Sequence, residues 1–216
     1  MNILNKYFNK IYVITSFPTE ERFFNLNEKL KNENLNVEWI IAPKQKYFVN
    51  NPWTEEQPNL PGNWSYQSAF ESIFLKSKLL KLDNFLILED DIFFVESYNS
   101  KLETIFLEIP NDWQILHLGY HYASTYVNDI YFSKFQNNMK AIGAHAVVYK
   151  NDVYDYILDT VENCTIPIDL YLNKFVYPFF KTYTLNEQIF YQSSYRHYEL
   201  DKFEFYKKYK SAVDLK

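Results

Sequence analysis

Glycine is scarce in this chain of 216 residues: only Gly62, Gly119 and Gly143 are present, and they lie far apart. A P-loop and a dinucleotide-binding fingerprint each need several glycines within a few positions, because the backbone must approach the phosphates closely. Neither motif can be built from this sequence. A nucleotide phosphate would therefore have to be bound through a metal ion or through side chains.

Cysteine is almost absent as well, since Cys164 is the only one. A single cysteine excludes an intramolecular disulfide and a cysteine-rich zinc site. Long apolar runs are also missing: the segment from Met1 to Lys10 lacks the apolar core of a signal peptide, and no run reaches membrane-spanning length. We therefore expect a cytoplasmic protein with no transmembrane segment.

An excess of basic charge is missing too: the formal net charge is -5. General nucleic-acid binders depend on cationic surfaces, so no nucleic-acid partner is expected. Hydrophobic residues make up 47% of the chain and aromatic residues 20%, which argues against disorder. We predict one domain over 1–200, followed by a tail over 201–216 that is rich in lysine and aromatics. Such a tail fits a terminal helix docked on the domain, or a peripheral contact with a membrane surface.

Apolar segments of two kinds alternate along the chain. Strand-like runs, rich in β-branched and aromatic residues, cover 10–15, 37–41, 85–88, 113–119 and 144–149, and stretches with helical spacing lie between most of them. This alternation predicts an α/β fold with a mostly parallel central sheet flanked by helices.

The run Phe85–Leu88 is followed directly by Glu89, Asp90 and Asp91. Open α/β sheets bind ligands at the carboxyl ends of their strands, and adjacent carboxylates repel one another unless a cation lies between them. Oxygen ligands suit Mg²⁺ or Mn²⁺. If the strand alternation continues, Glu89 and Asp91 face one way and form a metal clamp, while Asp90 faces the other. The alternative is an acidic turn that is merely solvated.

Five segments, taken in order, resemble glycosyltransferase family 25, the lipooligosaccharide and collagen-type galactosyltransferases. The likeness runs from about Lys10 to Asp201. Its most specific part is the apolar strand that ends in Glu-Asp-Asp. The segments are Ile11–Thr15 followed by Arg22, Phe85–Asp91, Pro110–Tyr120, Gly143–Ala146 and Pro167–Leu172.

The resemblance implies a glycosyltransferase A fold and an inverting transfer of a hexose, galactose or glucose, from a UDP-sugar to a glycan or a hydroxylated acceptor. It implies Mn²⁺, or Mg²⁺, held by Asp91 with Glu89, and by a histidine near the C-terminal end, for which His197 is the candidate. Glu89 has a second candidate role in binding the ribose. Asp90 is either a further ligand or a structural partner of the backbone.

Other candidate residues follow from the same comparison. Thr15, at the end of the first strand, is a candidate for cofactor binding. Arg22 and Arg196 carry the forked donor geometry that suits phosphate, although each is equally compatible with a surface ion pair. Inversion needs a general base for the acceptor hydroxyl, and Asp169 is the candidate. Its alternative role is an ordinary helix N-cap.

Two other functions stay open, and the first follows from a departure from the family. Where the family has a serine–histidine pair in the helix before the acidic strand, this chain has Ser68 and Ala69. A glycosyltransferase-like scaffold that binds a sugar or a partner without catalysis is therefore an alternative. A metal-dependent phosphodiesterase, using the same carboxylates to activate water, is a second alternative.

Overall fold

The computed structural model describes residues 2–15, 21–43, 61–94, 98–123, 126–127, 132–134, 141–162, 164 and 166–192, with backbone alone at 22, 61–64, 122–123, 126–127, 132–134 and 141–142. The strands are β1 (Ile11–Thr15), β2 (Val37–Ile41), β3 (Asn84–Glu89), β4 (Ile92–Phe94), β5 (Ile115–Gly119), β6 (Tyr122–Ala123), β7 (Tyr126–Val127), β8 (Phe132–Lys134), β9 (Ala141–Ile142), β10 (Ala146–Lys150), β11 (Thr182–Leu185) and β12 (Phe190–Gln192).

The helices of the described residues are α1 (Ile3–Tyr7), α2 (Glu21–Asn32), α3 (Pro61–Leu79), α4 (Tyr98–Leu107), α5 (Tyr154–Val161) and α6 (Ile168–Tyr171). A 3₁₀ turn, Asn151–Val153, precedes α5. Helix α6 continues into a π-helical turn, Leu172–Val176, and then a 3₁₀ turn, Tyr177–Phe179. No helix among these residues is both long enough and apolar enough to cross a bilayer.

Eight strands form the central sheet, in the order β2-β1-β3-β10-β5-β11-β8-β7. The pairs β1–β2, β1–β3 and β5–β11 are parallel. Strand β10 runs antiparallel to both β3 and β5, and β8 runs antiparallel to β11 and β7. Six of the eight strands therefore point the same way. The predicted α/β class with a mostly parallel sheet is confirmed.

Side-chain alternation divides the core between the two faces of this sheet. In β1, Ile11 and Val13 pack into one buried cluster with α1, α2 and α4, whereas Tyr12 and Ile14 pack into another with α3, α5 and α6. Every residue of β1 is buried, as expected for a strand covered on both faces. The sheet is therefore the middle layer between two layers of helices.

Tight turns at the ends of α2 and α3 return the chain to the sheet. Asn34 and Lys81 adopt left-handed backbone conformations, with φ of 54° and 55°. Leu35 N donates to Leu30 O at 2.9 Å and Leu82 N to Ser77 O at 3.1 Å, which satisfies carbonyls at each helix end. These turns lead into β2 and β3, and so set where the acidic strand begins.

Candidate active site

The acidic strand end lies at the point where the strand order reverses. From β1 the chain passes to β2 on one side, and then returns to β3 on the other side of β1. The two connections leave a crevice outside the carboxyl ends of β1 and β3, where open α/β sheets bind their ligands. Ile14 is paired with Glu89 across these strands, so Thr15 and the acidic residues lie at the same edge.

Strand β3 ends at Glu89, and Asp90 with Asp91 forms the turn into β4. The prediction that the alternation continues through the motif as a strand is therefore wrong, because the strand ends at Glu89 and a turn follows. The negative charges of Asp91 and Asp90 both act on Glu89, that of Asp91 more strongly. Asp90 also accepts a hydrogen bond from the Thr15 hydroxyl at 2.5 Å.

Both residues of this pair are buried: 1% of the surface of Thr15 and 7% of that of Asp90 are exposed. A buried carboxylate needs such donors, because it has lost its water. The bond ties the end of β1 to the turn after β3 and so fixes the two walls of the crevice. The cofactor contacts expected for Thr15 and Asp90 stay predictions.

Glu89 is partly exposed and is held by two side chains from other elements. Gln192, the last residue of β12, donates from Nε2 to Glu89 Oε2 at 2.5 Å. Tyr66, on α3, is hydrogen-bonded to Glu89 and lies 3.5 Å from the carbonyl oxygen of Ala144. Both partners are donors, so they fix the orientation of the carboxyl group.

The pKa of Glu89 is raised from its ordinary value of 4.5 to about 8, first by burial and then by the negative charges of Asp91, Asp169 and Asp90. The hydrogen bond to Tyr66 opposes that shift. Near pH 7 the carboxyl therefore carries a proton unless a positive charge is bound beside it. A carboxyl group whose pKa is raised by neighbouring carboxylates marks a site that favours a cation.

Asp169 lies in the first turn of α6 and is brought to the same crevice. Its charge raises the pKa of both Glu89 and Tyr66. It is not the N-cap of the helix, since that position belongs to Pro167. Its Oδ1 accepts from Leu170 N at 2.9 Å. Burial raises the pKa of Asp169, and the backbone N–H groups of Leu170 and Gly143 oppose the shift.

Two of the three glycines lie behind this site, against a pair of histidines. A Cβ at Gly119 would stand 2.7 Å from His145 Nε2, and a Cβ at Gly143 would stand 2.8 Å from His121 Cδ2. Gly143 also has a φ of +89°, which favours glycine. The rings of His121 and His145 are 5.1 Å apart. Close packing on these rings explains why glycine occupies both positions.

Several predicted features fall outside the described residues. They include the phosphate ligand Arg196, the metal ligand His197 and the tail 201–216, and the side chain of Arg22 is not described. Within the described part of the chain, no group of three or more His, Cys, Asp or Glu side chains is arranged to hold a metal ion. Of the three predicted metal ligands, Glu89 and Asp91 are the two that lie among the described residues.

Two side chains at the site, Tyr66 and Gln192, were not predicted from the sequence. Tyr66 falls in the helix before the acidic strand, beside the segment where the family pattern departs, and that departure was the only signal. Gln192 carries no sequence signal, because it reaches Glu89 through a contact between distant parts of the chain. His121 does carry one, since it lies two positions after Gly119 at the end of a predicted strand, and it is hydrogen-bonded to Gln192.

No family model matches this chain, and no curated protein matches it. The resemblance to glycosyltransferase family 25 receives no support from that comparison. Solved structures do show similarity. A protein from STIV has a TM-score of 0.49 and 16% identity, with 81% of this chain and 80% of that chain covered.

Two further solved structures are a glycosyltransferase involved in the glycosylation of the major capsid of PBCV-1 and HddC from Yersinia pseudotuberculosis. The first has a TM-score of 0.43 and 12% identity, covering 81% of each chain. The second has a TM-score of 0.47 and 14% identity, covering 90% of this chain and 99% of that one. At such low similarity, function has to be argued from the residues of this chain.

Proposed function

We propose that this chain is a metal-dependent glycosyltransferase with a glycosyltransferase A fold. It moves a hexose, galactose or glucose, from a UDP-sugar to a hydroxyl of a glycan or another acceptor, with inversion. The observation that carries the proposal is the convergence of acids at the strand-order reversal: Glu89 at the end of β3, Asp91 in the turn that follows, and Asp169 on α6, which acts on Glu89 through its charge. The three come from separate elements but share one crevice.

The donor set of this crevice fits Mn²⁺ or Mg²⁺. Carboxylate oxygens are ligands that suit these cations, and such sites commonly pair one or two carboxylates with phosphate oxygens of the substrate. Asp91 is the proposed direct ligand, and Glu89 binds either the ion or the ribose. Once bound, the ion neutralises the charge that develops on the departing diphosphate. That arrangement needs no glycine loop, in agreement with the composition of the chain.

Asp169 is the proposed general base. As the acceptor oxygen forms its bond to the anomeric carbon, the hydroxyl proton passes to the Asp169 carboxylate. The bond between the anomeric carbon and UDP breaks, and its electron pair leaves with UDP. Burial raises the pKa of Asp169, which makes the ionised carboxylate a stronger base than an exposed aspartate. The N–H groups of Leu170 and Gly143 keep it oriented.

Arg196 and His197 enter the proposal through their place in the chain. They follow Gln192 by four and five positions, and the Gln192 side chain contacts Glu89. His197 is the proposed further metal ligand. Arg196 and Arg22 are the proposed partners of the diphosphate.

The first test is a thermal-shift series with UDP, with and without Mn²⁺, on the wild type, on Asp91→Ala and on Glu103→Ala, a matched control at an exposed position of α4. A ligand at a hundred times its Kd stabilises the fold by about 2.7 kcal/mol, or roughly 5–10 °C for a chain of this size. We expect a shift that needs both UDP and Mn²⁺, survives in Glu103→Ala and disappears in Asp91→Ala.

Other outcomes separate the alternatives. No shift with any combination contradicts the transferase proposal. Metal-dependent UDP binding without turnover on any of a panel of UDP-sugars and acceptors supports the non-catalytic scaffold. Hydrolysis of a phosphodiester without UDP binding supports the phosphodiesterase.

A further inference from the structure

The Glu89 carboxyl group is the last acceptor in a series of side-chain hydrogen bonds. Gln192 donates from Nε2 to Glu89 Oε2 at 2.5 Å. Because the amide nitrogen is used in this way, the amide oxygen is the atom that accepts from another donor. His121 is hydrogen-bonded to Gln192 and supplies that donor. The donors therefore run in one direction, from His121 through Gln192 to Glu89.

The segment that carries Gln192 is held in place by backbone and side-chain hydrogen bonds. Residues 188–192 are tied to the end of β5, because Ile189 N donates to Leu118 O at 3.0 Å and Tyr120 N donates to Gln188 Oε1 at 3.0 Å. Strand β12 pairs with β4, the strand that follows the acidic turn, and Gln192 lies opposite Ile92. Gln192 thus approaches Glu89 from a strand that is anchored on two sides.

His121 is itself held in place. Its ring packs against Gly143, where an added Cβ would stand 2.8 Å from His121 Cδ2. The centroid of the His121 ring lies 5.1 Å from that of His145. The ring of His145 is fixed in turn by a contact of 3.3 Å between its Nε2 and Phe190 O. The packing that holds His121 in place consequently fixes the orientation of the Gln192 amide. If the amide were rotated, its oxygen would face the Glu89 carboxyl oxygen, and two acceptors would lie together.

We propose that Gln192 is a positioning residue of the donor site, where its amide, oriented by His121, holds the Glu89 carboxyl beside Asp91. This inference rests on the proposed function, since it assigns Gln192 to the binding of the metal-bound UDP. Residues that orient a ligating carboxylate typically change metal affinity by 10- to 100-fold when replaced. In this proposal Gln192 acts through Glu89 and does not itself contact the UDP-sugar.

The test is the Kd of UDP at saturating Mn²⁺, measured by calorimetry on folded protein whose melting temperature is recorded for each variant. Gln192→Met keeps the length of the side chain and removes both hydrogen bonds. Gln192→Glu keeps its shape and removes the N–H donor. Gln114→Met is the matched control, since it removes an amide of the same kind that bonds to Asp152 and Lys181 just before β5 and not to Glu89.

We expect both Gln192 variants to weaken UDP binding about tenfold or more and Gln114→Met to change it less than twofold. In a Glu89→Ala background, Gln192→Met should then add less than a twofold further loss, because its effect passes through Glu89. A purely structural role would give the same loss in both backgrounds, and that result overturns the proposal. Wild-type affinity in both Gln192 variants also overturns it.

The proposed function fails in a different way. If the wild type itself binds no UDP with Mn²⁺, the failure lies with the donor site as a whole, and the role of Gln192 in donor binding is overturned with it. If the wild type binds and the Gln192 variants bind equally well, only the positioning role is overturned.

Discussion

Replacing Glu89 with glutamine should change how the metal-free protein responds to pH. Folding raises the pKa of this carboxyl from 4.5 to about 8, so the folded state binds the proton more tightly than the unfolded chain does. The free energy of unfolding therefore falls as the pH rises from about 4.5 to about 8. Each pKa unit is worth about 1.4 kcal/mol, which sets a ceiling of about 5 kcal/mol. Glu89 is partly exposed, and screening by water reduces the expected loss to about 2 kcal/mol.

Glutamine is the same size as the protonated acid, and its oxygen still accepts from Gln192. We therefore expect Glu89→Gln to match the wild type near pH 5 and to be about 2 kcal/mol more stable at pH 9, roughly 4–8 °C in Tm. The measurement is urea unfolding in EDTA at intervals between pH 5 and pH 9. Added Mn²⁺ should abolish the difference at pH 9, because a bound cation stabilises the ionised carboxylate. Parallel pH profiles for the two proteins would refute the reasoning.

Three further changes test other parts of the site. Thr15→Val removes the hydroxyl that donates to buried Asp90, so urea unfolding should show a loss of about 2 kcal/mol; an unchanged midpoint would contradict the role of this bond. Gly143→Ala places a Cβ against His121 at a φ of +89°, and we expect it to cost about 2–3 kcal/mol in the same assay, whereas a neutral result would contradict the close packing. Asp169→Asn should leave the affinity for UDP with Mn²⁺ within about twofold and lower kcat by roughly 10²- to 10⁴-fold, in an assay of hexose transfer. Full activity in that variant would exclude Asp169 as the base.

The first half of the fold followed from local sequence patterns. Strands β1, β2 and β3 were predicted within a residue or two, because each is a short apolar run bounded by turns or helices. The acidic edge was predicted for the same reason: carboxylates directly after a buried strand must lie at its carboxyl end. The later half was harder to predict. Strands β4, β11 and β12 are short, and their partners are distant in sequence, so no local pattern distinguishes them from loops.

The sequence by itself determined the α/β class, the absence of a glycine phosphate loop and the position of Glu89, Asp90 and Asp91 at a strand end. Tertiary structure decided which side chains surround those acids. Insertion of β10 between β3 and β5, antiparallel to both, is a matter of sheet assembly that no single segment encodes. The hydrogen bonds of Glu89 with Tyr66 and Gln192, and the effect of the Asp169 charge on it, join elements far apart in the chain. Such contacts depend on how separate elements pack together, whereas periodicity reports only whether each segment is buried.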